Sequence, residues 1–158
     1  MDGLRALFEA LGAEDVRTYV QSGNVVFRSP GEPAGLVQAI EEGIRRTLGL
    51  DLTVLLRAKG ELAEVVGRSP FAASGIDPVR LHVTFLVGDP DPGRVADLPG
   101  KRFEPDELHV AGREVYFHCP NGYGRTKLQN AFLERQLAVA ATTRNWKTVT
   151  ALAELANA

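Results

Sequence analysis

The sequence lacks several features that would place it quickly in a class. Its single cysteine, Cys119, excludes an internal disulfide and a zinc site built on a cysteine cluster. No apolar run approaches the roughly 20 residues that a membrane-spanning helix needs, and the start, MDGLRALFEALG, lacks the basic segment and apolar core of a signal peptide. The formal net charge of -2 gives no basic excess of the kind that a large nucleic-acid footprint requires. These absences predict a cytoplasmic protein without a membrane span.

What the sequence does contain is the composition of a globular protein, with 44% hydrophobic and 24% charged residues in 158. A helical pattern over residues 2–12 precedes two strand-like pieces, RTYVQ and NVVFRS, which a tight turn at Gly23 joins. A second helix follows over residues 32–50, and LTVLL after it predicts a buried strand. Its apolar positions recur every four residues: Leu36, Ile40, Ile44 and Leu48. A short helix, KGELAEVVGR, ends this half.

The segment SPFAASGIDPV, rich in proline and small residues, predicts a boundary. Beyond it the pattern predicts a strand in RLHVTFLV, a short helix, the hairpin DELHVAGREVYFHC, and helices in TKLQNAFLERQLAV and NWKTVTALAEL. We therefore predict an α+β protein of two ferredoxin-like α/β-sandwich halves, residues 1–68 and 80–158, with a linker at 69–79. The first half lacks its opening strand, and helices are expected on one face of each sheet. No motif predicts a cofactor.

Four segments together resemble the bacterial family called domain of unknown function 1697: YVQSGNVVF, GREVYF, NGYGRTKLQNAFLE and ATTRNWKTV. The resemblance implies a two-part α+β fold and no established activity. It also implies an additional opening strand that leads into a glycine-rich segment. This sequence begins after that point, so any site to which the segment contributes is expected to be incomplete. The unpaired strand edges left behind are templates for association, which predicts either a homodimer or a protein less stable than a form extended at the N-terminus.

The segment TTRNWKTV combines a helix start with polar and basic residues. Thr143 or Asn145 can cap the helix, and Trp146 can begin its core stripe. Neither role explains Arg144 beside Lys147, because cations at a helix N-terminus oppose the macrodipole. An anion bound over the exposed N–H groups would explain both cations. The pattern therefore leaves two readings open, a purely structural helix start or an anion site.

The segment NGYGRTKL suggests the same chemistry at a second helix start. Its glycines let backbone N–H groups turn toward a ligand, and Arg125 and Lys127 add charge, although the spacing is not that of a P-loop. Residues 121–147 hold five bases against the single acid Glu134, a net +4 in a chain of -2. The five bases are Arg125, Lys127, Arg135, Arg144 and Lys147. The alternative to an anion site is a solvated basic face.

The three histidines form another candidate cluster. Alternation along the predicted strands places His82, His109 and His118 on one face of the second sheet, where they and Glu107 could hold a divalent metal. The simpler alternatives are that these strands carry polar residues outward, or that this face packs on the first half. Because alternation alone does not supply the convergent geometry of a zinc site, we predict no metal.

The turn QSGN adds three hydrogen-bonding side chains, Gln21, Ser22 and Asn24, which tight turns commonly use for their own backbone. Two function classes follow from these segments. The favoured one is a binding module for a phosphate-bearing ligand, such as a nucleotide or a short nucleic acid. The alternative is an enzyme that acts on a phosphorylated small molecule and stabilises its charge with arginine and lysine. An enzyme should also present a base with a perturbed pKa in the same cleft.

Overall fold

The computed structural model describes residues 2–19, 23–71, 75–98, 103 and 105–157. Within these residues the chain is α+β, as predicted, with two antiparallel sheets. None of the helices there is long and apolar enough to span a membrane. The elements in chain order are α1 Asp2–Ala10, β1 Glu14–Tyr19, β2 Asn24–Arg28, α2 Pro33–Leu48, α3 Lys59–Gly67, β3 Leu81–Leu86, α4 Pro92–Ala96, β4 Glu107–Ala111, β5 Glu114–His118, α5 Asn130–Leu137, β6 Ala141–Asn145 and α6 Trp146–Asn157.

The second sheet has four strands in the order β4-β5-β3-β6, and every neighbouring pair is antiparallel. Helix α4 connects β3 with β4, the hairpin joins β4 to β5, and α5 connects β5 with β6. Counted within this half, the strand order is 4-1-3-2. This succession and order are those of a ferredoxin-like sandwich, which confirms the predicted fold of the second half.

Strand β6 is absent from the sequence-based interpretation, which places ATTRN at the approach to the last helix. In the structure these residues pair with β3 from Ala141, opposite Leu86, to Asn145, opposite His82. Helix α6 then begins at the very next residue, Trp146. An edge strand with one neighbour tolerates a polar sequence, so β6 lacks the apolar alternation that reveals the inner strands.

Both faces of the second sheet are buried, which corrects the prediction that helices cover one face. All six residues of β3 are buried. Helices α3 and α6 cover one face, and its core consists of Leu62, Val65, Leu81, Val83, Phe85, Tyr116, Trp146, Val149 and Ala153. On the other face α5 and the segments around it enclose Leu86, Leu98, Phe103, Val115, Phe117, Cys119, Leu128, Leu133 and Leu137.

The first sheet is the two-stranded hairpin β1-β2, which packs against α1 and α2. Its core is small and consists of Leu7, Phe8, Val16, Ile40 and Ile44. Gly43 lets α1 and α2 approach closely, because a Cβ atom at this position would lie 2.9 Å from Cδ1 of Leu7. The sequence-predicted stripe of α2 thus provides two of the buried residues, Ile40 and Ile44.

Residues 52–56 form no strand, although LTVLL predicts a buried one. Leu52 is 51% exposed, and the N–H of Val54 donates to the carboxylate of Glu41 at 2.9 Å instead of joining a sheet. Within the described residues β2 pairs only with β1, so the segment has no central strand to extend. LTVLL is apolar enough for a strand, but none of the described strands pairs with it.

Helix α3 precedes the predicted linker, yet it packs with the second half. Its residues Leu62 and Val65 belong to the core beneath α6 and the second sheet. The division at residues 69–79 stays a prediction. The packing shows that the core of the second half also includes residues that precede this linker.

Candidate functional site

Antiparallel pairing brings most of the candidate residues to one edge of the second sheet, the edge at which β3 begins and β5 and β6 end. Strand β3 begins at this edge, where Leu81 lies opposite His118 in β5 and His82 lies opposite Asn145 in β6. The loop that leaves β5 and the helix that leaves β6 therefore start about two strand spacings apart, roughly 10 Å. The basic residues predicted from the sequence lie in the segments that leave these strand ends: Arg125 and Lys127 in the loop after β5, and Lys147 in the first turn of α6.

The loop between β5 and α5 contains a single 3₁₀ turn, Tyr123–Arg125, and side chains that follow the turn hold it in place. Gly122 begins it with a φ of 92°, a value that favours glycine. The hydroxyl of Thr126 donates to the carboxylate of Asp106 at 2.6 Å. The amide of Gln129 donates to the carbonyl oxygen of Tyr123 at 2.7 Å. The loop is therefore an ordered element with fixed backbone geometry.

The loop's two cations point away from this internal network. Arg80 anchors the loop by donating from its guanidinium to the carbonyl oxygen of Pro120. Arg125 and Lys127 are exposed. Neither forms an ion pair with a carboxylate in the part of the chain that the structure describes. They remain available to an external anion.

Arg144 joins the two halves of the protein. Its Nε donates to Oδ1 of Asn24 at 2.7 Å, and its Nη1 donates to the hydroxyl of Thr142 at 2.7 Å. Asn24 is buried, and its amide donates to the carbonyl oxygen of Tyr19 at 3.3 Å. Burial also lowers the pKa of the Arg144 guanidinium. The structure thus brings the QSGN and TTRN segments into contact, while Gln21 and Ser22 lie outside the described residues.

Thr143 faces the opposite side of β6 and is engaged internally. Its hydroxyl donates to Oδ1 of Asn130 at 2.9 Å and lies 2.7 Å from the hydroxyl of Thr84. Since a hydroxyl has one hydrogen, Thr84 is the donor in the second bond. These bonds fasten α5 and β3 to β6, so Thr143 supports the site without being free to bind a ligand.

Asn145 caps helix α6, because its Oδ1 accepts the N–H of Thr148 at 2.9 Å. Trp146 and Val149 lie in the core, as the stripe predicts. Lys147 in the first turn is exposed and, like the two loop cations, forms no ion pair within the described ranges. This segment therefore caps helix α6 and packs it on the core, and it also presents an exposed positive charge at Lys147.

The three histidines do not share a face, so the predicted cluster is wrong. Residues directly opposite each other in an antiparallel pair point to the same face. His82 lies opposite Phe117, whereas His109 lies opposite Tyr116 and His118 opposite Leu81. Phe117 belongs to one core and both Tyr116 and Leu81 to the other. The sequence reading aligned the strands by polarity, which fails where both faces are buried.

His82 occupies an unusual environment at this edge. Its ring stacks on Phe117, with centroids 5.4 Å apart, and on Tyr123, with centroids 4.7 Å apart. Burial lowers the pKa of its imidazole. Its Nδ1 is buried and has no hydrogen-bond partner among the described residues. Such an atom is uncommon in native proteins.

Sequence reasoning missed a second buried polar group at the opposite end of the sheet. Glu114 lies between Arg57 and Arg68, at 3.0 and 3.2 Å. Nearby, the hydroxyl of Tyr116 donates to the carbonyl oxygen of Val65 at 2.6 Å, and burial raises the pKa of Tyr116 to about 12. Alternation along β5 gives no sign that Glu114 is buried. No local pattern links it to Arg57, which is 57 residues away.

Comparison with known proteins places the chain in a family. Residues 1–116 match the family described as Protein of unknown function (DUF1697). The chain belongs to this family. The match ends within β5, so the loop with Arg125 and Lys127 and the β6–α6 corner lie beyond it. A search among curated proteins found no match.

The fold of this DUF1697 member is similar to that of a conserved bacterial protein, SP0830 from Streptococcus pneumoniae. The TM-score is 0.80 at 21% sequence identity, and the alignment covers 100% of this chain and 89% of the other. Identity at this level supports a shared fold and carries no activity across.

The chemistry available at the edge is charge and hydrogen bonding. No group of three histidine, cysteine, aspartate or glutamate side chains in the described residues could hold a metal ion. Cys119 is fully buried and burial raises the pKa of its thiol, which disfavours a nucleophilic thiolate. Exposed cations on an ordered loop and at a helix start can hold a phosphate or carboxylate group.

Proposed function

We propose that this protein is a small cytoplasmic binding module for a phosphate-bearing ligand, such as a nucleotide or a short nucleic acid. The supporting observation is that Arg125, Lys127 and Lys147 follow strand ends at one edge of the second sheet and are exposed. In the described residues, no carboxylate lies within 4.0 Å of these three cations. Most of the other described arginines, by contrast, have an ion-pair partner or donate to a backbone carbonyl.

Helix α6 adds to the electrostatic argument. Lys147 is its second residue, where a cation opposes the helix macrodipole. Asn145 accepts the N–H of Thr148, and in the described part of the chain no side chain accepts from another N–H group of this first turn, which leaves such groups to a ligand. A bound anion would offset both unfavourable features, because it attracts the lysine and accepts from the helix N-terminus.

The alternative is an enzyme acting on a phosphorylated small molecule, and it has one supporting observation. His82 lies at the same edge, and burial lowers the pKa of its imidazole, which favours the neutral form that a general base requires. However, Tyr123 stacks on this ring and Nδ1 is inaccessible to solvent. A base must reach the proton that it abstracts, and we therefore favour binding over catalysis.

The test is calorimetric titration with pyrophosphate at low and high salt. The double variant Arg125→Ala/Lys127→Ala should bind several-fold more weakly than the original protein, and added salt should reduce the difference by screening. The matched control is Arg5→Ala, an exposed arginine of α1. Unchanged pyrophosphate affinity in the double variant, or no binding by the original protein, would overturn the proposal.

A further inference from the structure

Tyr123 lies over two rings that the sheet holds rigidly. His82 and Phe117 are opposite residues in β3 and β5, and both are buried. The ring centroid of Tyr123 is 4.7 Å from that of His82 and 6.1 Å from that of Phe117, at interplanar angles of 28° and 32°. Tyr123 is itself only half-buried. Its ring therefore has a fixed orientation before any ligand arrives, which reduces the entropy cost of stacking on it.

Tyr123 lies between two glycines, and the Cβ positions of both face open space apart from their chain neighbours. A Cβ atom at Gly122 or Gly124 would meet no atom within 4 Å. Gly122 is explained by its positive φ of 92°. Gly124 has neither a positive φ nor a close neighbour, so neither backbone conformation nor packing requires a glycine there. Open space next to an oriented aromatic ring is what a planar ligand ring needs.

The cations of the proposed phosphate site belong to the same loop. Arg125 ends the 3₁₀ turn that Tyr123 begins, and Lys127 follows two residues later. Proteins that bind single-stranded nucleic acids combine these two elements, an aromatic side chain for the base and basic side chains for the phosphates. A phosphosugar or an inorganic anion would contact only the basic side chains.

We infer that the ligand of this site is a nucleotide whose planar base stacks on Tyr123 while its phosphates contact Arg125 and Lys127. The inference rests on the proposed function and adds the chemical class of the ligand. Base stacking on an aromatic side chain is tolerant of base identity, so the site is expected to accept different bases. The same base and phosphate chemistry occurs in free nucleotides and in single strands, and the experiment separates these sources.

The experiment compares calorimetric titrations of ADP, pyrophosphate and adenosine. ADP should bind more tightly than pyrophosphate by about 5- to 150-fold, the range expected for one stacked base. Tyr123→Leu should remove this advantage and leave pyrophosphate binding unchanged, while Tyr123→Phe should keep it. A single-stranded tetranucleotide that binds more tightly than ADP identifies a strand as the ligand, and equal or weaker binding identifies a free nucleotide.

A second variant tests base stacking without replacing Tyr123, whose ring packs on the buried side chains of His82 and Phe117. Gly124→Leu adds a bulky side chain next to Tyr123, at a position where a Cβ meets no atom within 4 Å apart from its chain neighbours, so the protein should fold and bind pyrophosphate but lose the preference for ADP. Gly60→Leu in α3 is the matched control, since a Cβ there also meets no atom within 4 Å. Equal affinities for ADP and pyrophosphate, or an ADP preference that survives both Tyr123→Leu and Gly124→Leu, overturn this inference alone. Absence of pyrophosphate binding overturns the proposed function with it.

Discussion

The guanidinium Nε of Arg57 lies 3.0 Å from a carboxylate oxygen of Glu114, and their side chains are only 6% and 5% exposed. The same guanidinium donates to the carbonyl oxygen of Leu86 at 2.7 Å and lies 5.5 Å from the ring centroid of Phe85. Arg57 ends the irregular segment that leads from the first half to α3. The pair therefore anchors this segment to the hairpin end of the second sheet.

We expect Arg57→Met to destabilise the protein by about 3 kcal/mol, because removing one partner leaves a buried charge poorly compensated. Arg68 still contacts Glu114, which places the effect at the low end of the usual range. The measurement is the free energy of unfolding in urea. Arg46→Met is the control, since Arg46 pairs with Glu42 on the exposed surface of α2 and should change stability by less than about 1 kcal/mol. Equal effects of the two substitutions would contradict this account.

The buried imidazole of His82 should make stability depend on pH. Burial lowers its pKa below the ordinary value of 6.5, so the unfolded chain takes up this proton at a higher pH than the folded protein does. The stabilising contribution is present above about pH 6.5 and is lost as the pH falls toward the folded pKa. His82→Phe should reduce the loss of stability that occurs between about pH 7.5 and pH 5. The free energy of unfolding in urea, determined at each pH, measures this loss.

The control for this prediction is His109→Phe, at an exposed position of β4. It should leave the pH profile close to that of the original protein. If His82→Phe and His109→Phe give the same profile, then burial of His82 does not contribute to acid sensitivity.

The contact between Asn24 and Arg144 should couple the two halves energetically. The side-chain bond has a donor–acceptor distance of 2.7 Å and a charged donor, and hydrogen bonds to charged groups contribute about 1.5–3 kcal/mol. A double-mutant cycle of Asn24→Ala and Arg144→Ala should therefore give an interaction free energy of about 1–2 kcal/mol. Chemical denaturation of the two single variants and the double variant measures it. Additive effects would show that the halves are joined by other contacts.

Local pattern predicted the helices and the inner strands of the second half well, because each carries a continuous apolar stripe. Ile40 and Ile44 of α2 are buried as their spacing requires, and Trp146 and Val149 begin the core stripe of α6. Strand β6 was missed since an edge strand rich in threonine has little apolar periodicity. LTVLL shows the opposite failure, because it is apolar and yet pairs with no strand in the part of the chain that the structure describes.

The sequence proposes the residues of the candidate site, and its pattern reports little of their arrangement. Asn24 and Arg144 do meet, but their contact spans 120 residues of sequence and depends on how α6 packs against β2. The face to which His82 points depends on strand register and on burial of both sheet faces, which alternation within one strand does not report. Tyr123 was passed over because an aromatic residue between two glycines has no periodic signal.

Asn145 allows the stability of helix α6 to be separated from the charge of the proposed site. Its Oδ1 accepts the N–H of Thr148 at 2.9 Å. Asn145→Ala should therefore cost about 1 kcal/mol through loss of the cap, with little effect on the affinity for pyrophosphate. Asn145→Asp keeps the cap and favours the helix macrodipole, so stability should be retained or slightly raised. Its added negative charge beside Lys147 should nevertheless weaken pyrophosphate binding, measured by calorimetry at low salt. If Asn145→Asp binds pyrophosphate as tightly as the original protein, then the anion does not sit at the start of α6, and the loop of Arg125 and Lys127 would have to hold it alone.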